Sequence, residues 1–128
     1  MPGRIKFEME FPIKVSQRLL FQYISTPSGL SEWFADNVNS RGEKFIFIWN
    51  DVEEVANLIS KKPLEKIEFQ WDDDDTTEYF FQLKIQFDEI TKDVSLIVTD
   101  FSDEDELEES RMFWTNQISE LKKILGSS

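Results

Sequence analysis

The stretch "IEFQWDDDDTTEYFFQLKIQF", residues 67–87, sets four consecutive aspartates between two runs dense in aromatic residues. Before the run, Ile67, Phe69 and Trp71 alternate with Glu68 and Gln70. After it, Tyr79, Phe81, Leu83, Ile85 and Phe87 fall on one face. A period of two is the signature of a strand with one buried side. Two antiparallel strands are therefore expected on either side of Asp72–Asp75, with Glu68 and Gln70 facing outward. Asp and Thr suit a hairpin tip because their short side chains bond the local backbone and stay solvated. Charge at such a tip also guards aromatic strands against pairing with other chains. The run invites a reading as a hard-cation site, since calcium takes several oxygen ligands. Successive residues of an extended segment point in alternate directions, however, so at most two neighbours converge. An EF-hand loop starting at Asp72 would need Gly at position 77 and Glu at 83, where the chain has Thr77 and Leu83. No metal is expected there.

Outward from this hairpin, the same arithmetic assigns the rest of the chain. "RIKFEMEF" places Ile5, Phe7, Met9 and Phe11 on one side of a half-buried strand. After Pro12, Ser16 is placed to cap a short helix carrying Leu19, Leu20, Tyr23 and Ile24 and ending near Ser25. "TPSGLSEWF" starts a second, with Thr26 as N-cap and Pro27 at the first helical position. "SRGEK" reads as a turn before the strand "FIFIW", in which Phe45, Phe47 and Trp49 face one way and Ile46 and Ile48 the other. "DVEEVANLISKKP" suits a helix or a strand by periodicity. Its place among strands with short connections favours a strand. "DVSLIVTDF" sets Val94, Leu96, Val98 and Asp100 on one face. The final segment reads as a long helix, with Ser102 and Asp105 approximating a capping box, Lys122 and Lys123 in the last turn, and Gly126 as its stop. Leu107, Trp114, Ile118, Leu121 and Leu125 form its apolar stripe. The expected class is α+β in the order β-α-α-β-β-β-β-β-β-α, a run of about six strands following the two short helices.

Composition narrows the chemistry. A single domain over residues 1–128 is the size expectation, and 12 Phe and 4 Trp supply ample core material. With 26 acidic against 14 basic residues, the net charge of -12 opposes nucleic-acid phosphates and favours a protein partner with a basic surface. There is no Cys and no His, which excludes disulfides, thiolate nucleophiles, Cys/His zinc sites and imidazole bases. No segment reaches the roughly 20 apolar residues of a membrane span, and the N-terminus lacks a signal-length apolar run, so a soluble cytoplasmic protein is expected.

The strings "STPSGLSEWFADNV" (25–38), "KPLEKIEFQW" (62–71) and "SLIVTDF" leading into "FWTNQISELKKILG" occur in this order over the whole chain. In these residues the sequence resembles the START-like superfamily (SRPBCC, birch-pollen-allergen-like), nearest its branch related to activators of the 90-kDa heat-shock chaperone. The resemblance implies a helix-grip fold, in which a curved antiparallel sheet wraps around a long C-terminal helix. It further implies a small apolar or amphipathic ligand held between sheet and helix; some members of the superfamily are enzymes, but the lack of His and Cys disfavours a hydrolase or cyclase, so a non-enzymatic domain without a cofactor is expected. The ligand-lining residues it points to are Trp33, Phe34, Phe47, Trp49, Phe69, Trp71, Tyr79, Phe81, Leu96, Val98, Trp114 and Ile118, with Trp33 and Phe34 near the mouth. The alternative it implies is an interaction module acting through an acidic surface, for which Asp103–Glu109 is the candidate patch. Asp100 is the one inward-facing carboxylate, and its place at a strand end points to a capping or rim role rather than to acid/base chemistry.

Overall fold

A computed structural model describes residues 3–72 and 79–127. Residues 73–78, most of the aspartate run, lie outside the described residues, and with them the expected hairpin tip. Elsewhere the chain follows the order β1 (Ile5–Pro12), α1 (Gln17–Ser25), α2 (Pro27–Trp33), β2 (Asn37–Arg41), β3 (Lys44–Trp49), β4 (Val52–Lys62), β5 (Lys66–Trp71), β6 (Phe81–Phe87), β7 (Val94–Ser102), a 3₁₀ turn over Glu104–Glu106, and α3 (Leu107–Leu125). The seven strands form one curved antiparallel sheet in the order β1-β7-β6-β5-β4-β3-β2. This is the α+β helix-grip arrangement: α3 packs against β1, β7 and α2, and α1 lies against β5 and β6.

Local chemistry explains the elements. Ser16 and Thr26 cap α1 and α2, their hydroxyls accepting from the backbone N–H of Leu19 at 3.1 Å and of Gly29 at 3.0 Å. Each thereby satisfies one of the donors a helix start leaves unpaired. Trp49 faces Val52 across a two-residue turn in which Asn50 and Asp51 both have positive φ, 49° and 65°. That is the mirror-image turn whose twist matches a hairpin, and Asn and Asp tolerate it. The ambiguous segment is a strand, β4, with a bulge between Leu58 and Ser60. Gly126, at φ +71°, ends α3.

Three expectations are corrected. β2 occupies Asn37–Arg41, outside the expected strands; only Val38 of its five residues is buried, so no alternation marks it in sequence. The turn is confined to Gly42 and Glu43 between paired Arg41 and Lys44. Ser102 does not cap α3: β7 continues through it, pairing it with Ile5, and its hydroxyl donates to the Asp103 carbonyl at 3.0 Å and accepts from Ser110 Oγ at 3.0 Å. The α3 start has no side-chain cap bond. Gln70, on the face opposite Phe69, is buried rather than solvated, while Glu68 accepts from Gln82 Nε2 at 3.2 Å.

Candidate functional site

Period-two alternation along β3, β5, β6 and β7 sends Phe47 and Trp49, Phe69 and Trp71, Phe81, and Leu96, Val98 and Asp100 to the concave side of the sheet. Across from them stand Trp114 and Ile118 of α3, and Phe34 at the C-terminal end of α2. Phe34, Phe47, Phe69, Phe81 and Trp114 are each no more than 2 % exposed. Their rings touch. Phe34 lies 5.2 Å from Phe47, 5.4 Å from Trp49, 5.7 Å from Phe81 and 5.4 Å from Trp114, centroid to centroid. Phe47 and Phe81 both approach Phe69, at 5.7 and 5.2 Å. Such offset and edge-on pairs add about 0.5–1.5 kcal/mol each beyond burial.

At one end this cluster reaches solvent. Trp49 and Trp71 are half-buried, 6.1 Å apart, and Phe113 of α3 is exposed beside Phe34 and Trp114. An open cleft of about 460 Å³ abuts Phe34, Ala35 and Trp49, with Gln117 and Glu120 across it. Another, of about 240 Å³, lies at Asp100, Glu106, Glu109, Ser110, Phe113 and Trp114. A third, of about 250 Å³, runs along Glu53, Glu54, Val55, Trp71 and Asp72. A fourth, of about 570 Å³, is elsewhere, between Pro12–Val15 and Lys92–Ser95.

The polar bonds here hold α2 and α3 in place. Gln117 Nε2 donates to the carbonyls of Trp33 at 3.1 Å and Phe34 at 2.8 Å, and Trp49 Nε1 donates to the same Phe34 carbonyl at 3.0 Å. The α2 C-terminus thus has partners for carbonyls that a helix end leaves open. Trp33 is a packing anchor, 4 % exposed, with Nε1 donating to the Tyr23 carbonyl at 2.8 Å. Asp100 serves as an acceptor: its Oδ2 takes the Trp114 indole N–H at 2.9 Å, tying β7 to α3. Sequence placed Asp100 inward, yet nothing in the spacing of 14 residues announced this partner.

Tyr79 is not brought into the cluster. It lies outside β6, its ring 5.3 Å from Phe101, which faces away from Asp100 and the concave side; the Arg4 guanidinium stands 4.6 Å from the ring centroid. Phe113 was missed, since it lies beside Trp114 in sequence and off the helix stripe. Among the described residues no three carboxylates, His or Cys group to hold a metal ion, and no helix is long and apolar enough to cross a membrane. Asp72, just before the undescribed residues, is occupied by protein partners. Asn57 Nδ2 at 3.0 Å and Lys44 Nζ at 3.3 Å reach its Oδ1 and hold its carboxyl below the ordinary value.

Many solved structures share this architecture. A Bacteroides fragilis protein designated BfR322, solved by NMR, is 32 % identical over 97 % of this chain and 93 % of its own, with a TM-score of 0.69. The Aha1 dimer from Colwellia psychrerythraea is 16 % identical over 92 % of this chain and 93 % of its own, TM-score 0.76, and shares the fold. So does the protein SSP2350 from Staphylococcus saprophyticus, 14 % identical over 95 % and 92 % of the two chains, TM-score 0.76. No curated protein matches the chain. The family model of the START-like superfamily domain matches residues 1–127, and with the sheet wrapped around α3 in the order described, the chain belongs to the START-like superfamily.

Proposed function

We propose that the domain binds a small apolar or amphipathic molecule at the aromatic cluster between the sheet, α2 and α3, without chemical turnover. One observation carries this reading: ring contacts run unbroken from half-exposed Trp49 and Trp71 and exposed Phe113 to the fully buried Phe34, Phe81 and Trp114. Aromatic area left at the wet edge of a core is stabilised when a ligand removes it from water, by roughly 25 cal/mol per Å². Trp suits such a boundary because its ring is apolar and its N–H polar, and Trp49 has its N–H already bonded inward. The test is a titration with the neutral fluorescent probe N-phenyl-1-naphthylamine. Saturable enhancement with a Kd on the order of 10–100 µM is expected, weakened about tenfold by Trp49→Ala. Enhancement that never saturates, or is indifferent to Trp49, would count against the reading.

A second reading rests on the exposed acids at the 3₁₀ turn and the α3 start, where Asp103, Glu104, Asp105, Glu106, Glu108 and Glu109 crowd together. A hydrogen bond with Asp103, and the charges of Asp103, Asp105 and Glu109, raise the Glu106 carboxyl above its ordinary value. Because the folded chain holds this proton more tightly than the unfolded one, Glu106 favours folding at low pH, and that contribution is lost as pH rises through its raised value. Crowded carboxylates repel one another, which a basic protein surface would relieve. Poly-lysine should then bind at neutral pH, weaken with salt, and weaken on acidification, with Glu106 protonating ahead of an unperturbed glutamate. Neutralising the six acids should weaken binding more than neutralising Glu8, Glu10, Glu32, Glu53, Glu54 and Glu89. Equal losses would sink the second reading.

A further inference from the structure

We infer that the Phe34 ring stands where the ligand binds, and that the ligand is a planar aromatic molecule, neutral or positively charged. This rests on the apolar-ligand reading above and names the chemistry of the same site.

The other fully buried phenylalanines of the cluster, Phe47, Phe69 and Phe81, are held on strands whose neighbours fix them through ladder hydrogen bonds. Phe34 is at a helix end. Its N–H bonds the Leu30 carbonyl at 2.8 Å, and beyond it the chain passes through Ala35 and Asp36 into β2. Outside its own helix, its backbone is held by the two donors on its carbonyl, Gln117 Nε2 and Trp49 Nε1. Releasing those side-chain bonds lets the ring leave without breaking a strand ladder. The adjoining cleft of about 460 Å³ is large enough to receive it.

What the ring would vacate has a shape. Phe34 lies near-parallel to Trp114 (24°) and to Phe81 (30°) and meets Phe47 (82°), Trp49 (71°) and Phe113 (75°) edge-on. A flat ring reproduces both sets of contacts, faces against faces and edges against a face. An alkyl chain forfeits the electrostatic part of them. The charged groups lining the adjoining cleft, among the described residues, are Glu32, Asp36 and Glu120. A carboxylate on the ligand would meet like charge there, whereas an amine would be attracted to the acids and to the Trp49 face.

The experiment compares wild type, Phe34→Ala, Phe34→Leu and Phe69→Ala by calorimetry with naphthalene, 1-naphthylmethylamine, 1-naphthoate and decanol. If the closed, Phe34-filled form makes up nine-tenths or more of the free protein, removing the ring tightens naphthalene binding by about tenfold or more. Phe34→Leu keeps the core apolar should the alanine variant fail to fold, and is expected to gain several-fold. 1-Naphthylmethylamine should bind at least as tightly as naphthalene, and 1-naphthoate about tenfold more weakly. Decanol should gain nothing from either Phe34 variant. If the wild type binds and the Phe34 variants do not gain, or Phe69→Ala or decanol gains equally, the inference is overturned while the apolar-ligand reading stands. If no probe binds to any form, that reading falls, and the inference with it.

Discussion

Trp114→Ala is expected to lose about 3–5 kcal/mol of folding stability, the range for emptying a large buried aromatic site. Trp114 is 2 % exposed and its ring meets Phe34 at 5.4 Å, Phe113 at 5.5 Å and Phe81 at 6.0 Å. It is where α3 is fastened to the sheet by packing and, through Asp100, by a hydrogen bond. Against a total stability of about 5–15 kcal/mol for a domain, the substitution removes roughly a fifth at the least, and in a marginal fold most, of what holds it together. Trp114→Phe separates the two contributions. It keeps most of the ring contacts and deprives Asp100 of one donor, and should cost about 1–2 kcal/mol. Urea unfolding of the three forms measures both. A loss below about 1 kcal/mol for Trp114→Ala would mean that α3 is held elsewhere.

Gly29→Ala has an expected sign opposite to the one its secondary structure implies. Inside an ordinary helix, alanine is favoured over glycine by about 1 kcal/mol. Gly29, in α2, instead faces the backbone of α1. An added Cβ would meet the Gln22 carbonyl, lie 2.6 Å from Tyr23 Cα, and lie 2.9 Å from Thr26 Oγ1. Two of these three atoms are backbone, so the helices must part rather than a side chain swing. Thr26 Oγ1 also ties the joint, donating to the Gln22 carbonyl at 2.7 Å and accepting from Gly29 N–H at 3.0 Å. A loss of about 1–3 kcal/mol follows from overpacking against fixed backbone. Thermal unfolding checks it, and a raised Tm would show that α1 and α2 are not in this close contact. Because α2 carries Trp33 and delivers Phe34 to the cluster, the same substitution should also disturb probe binding.

Much of this architecture is legible in period and punctuation. Ile67, Phe69 and Trp71 alternate in sequence and are buried or half-buried on one face in the structure, and Ser16 and Thr26 announce their helices by type and place. The failures have physical causes. β2 is an edge strand whose pairing with β3, not its own side chains, makes it a strand. Ser102 has a capping residue's chemistry but is claimed by the β1–β7 register, which outweighs one side-chain bond. Gln70 shows polar alternation and is buried all the same, because sequence does not reveal what covers the second face of a sheet. At the site, alternation placed the strand aromatics facing α3. It could not reveal that Phe34 would become their common neighbour, that Phe113 would join from off the helix stripe, or that Tyr79 would turn to Phe101. Those depend on how α2, α3 and the sheet meet, which no local period encodes.

The most direct measurement is an NMR titration of isotope-labelled protein with naphthalene, read through intermolecular NOEs. Contacts are expected from naphthalene to the rings of Trp49, Phe81 and Trp114, with the Phe34 resonances shifting as the ring gives way. NOEs confined to the cleft between Pro12–Val15 and Lys92–Ser95, or a saturating ligand that leaves the aromatic cluster unshifted, would contradict it.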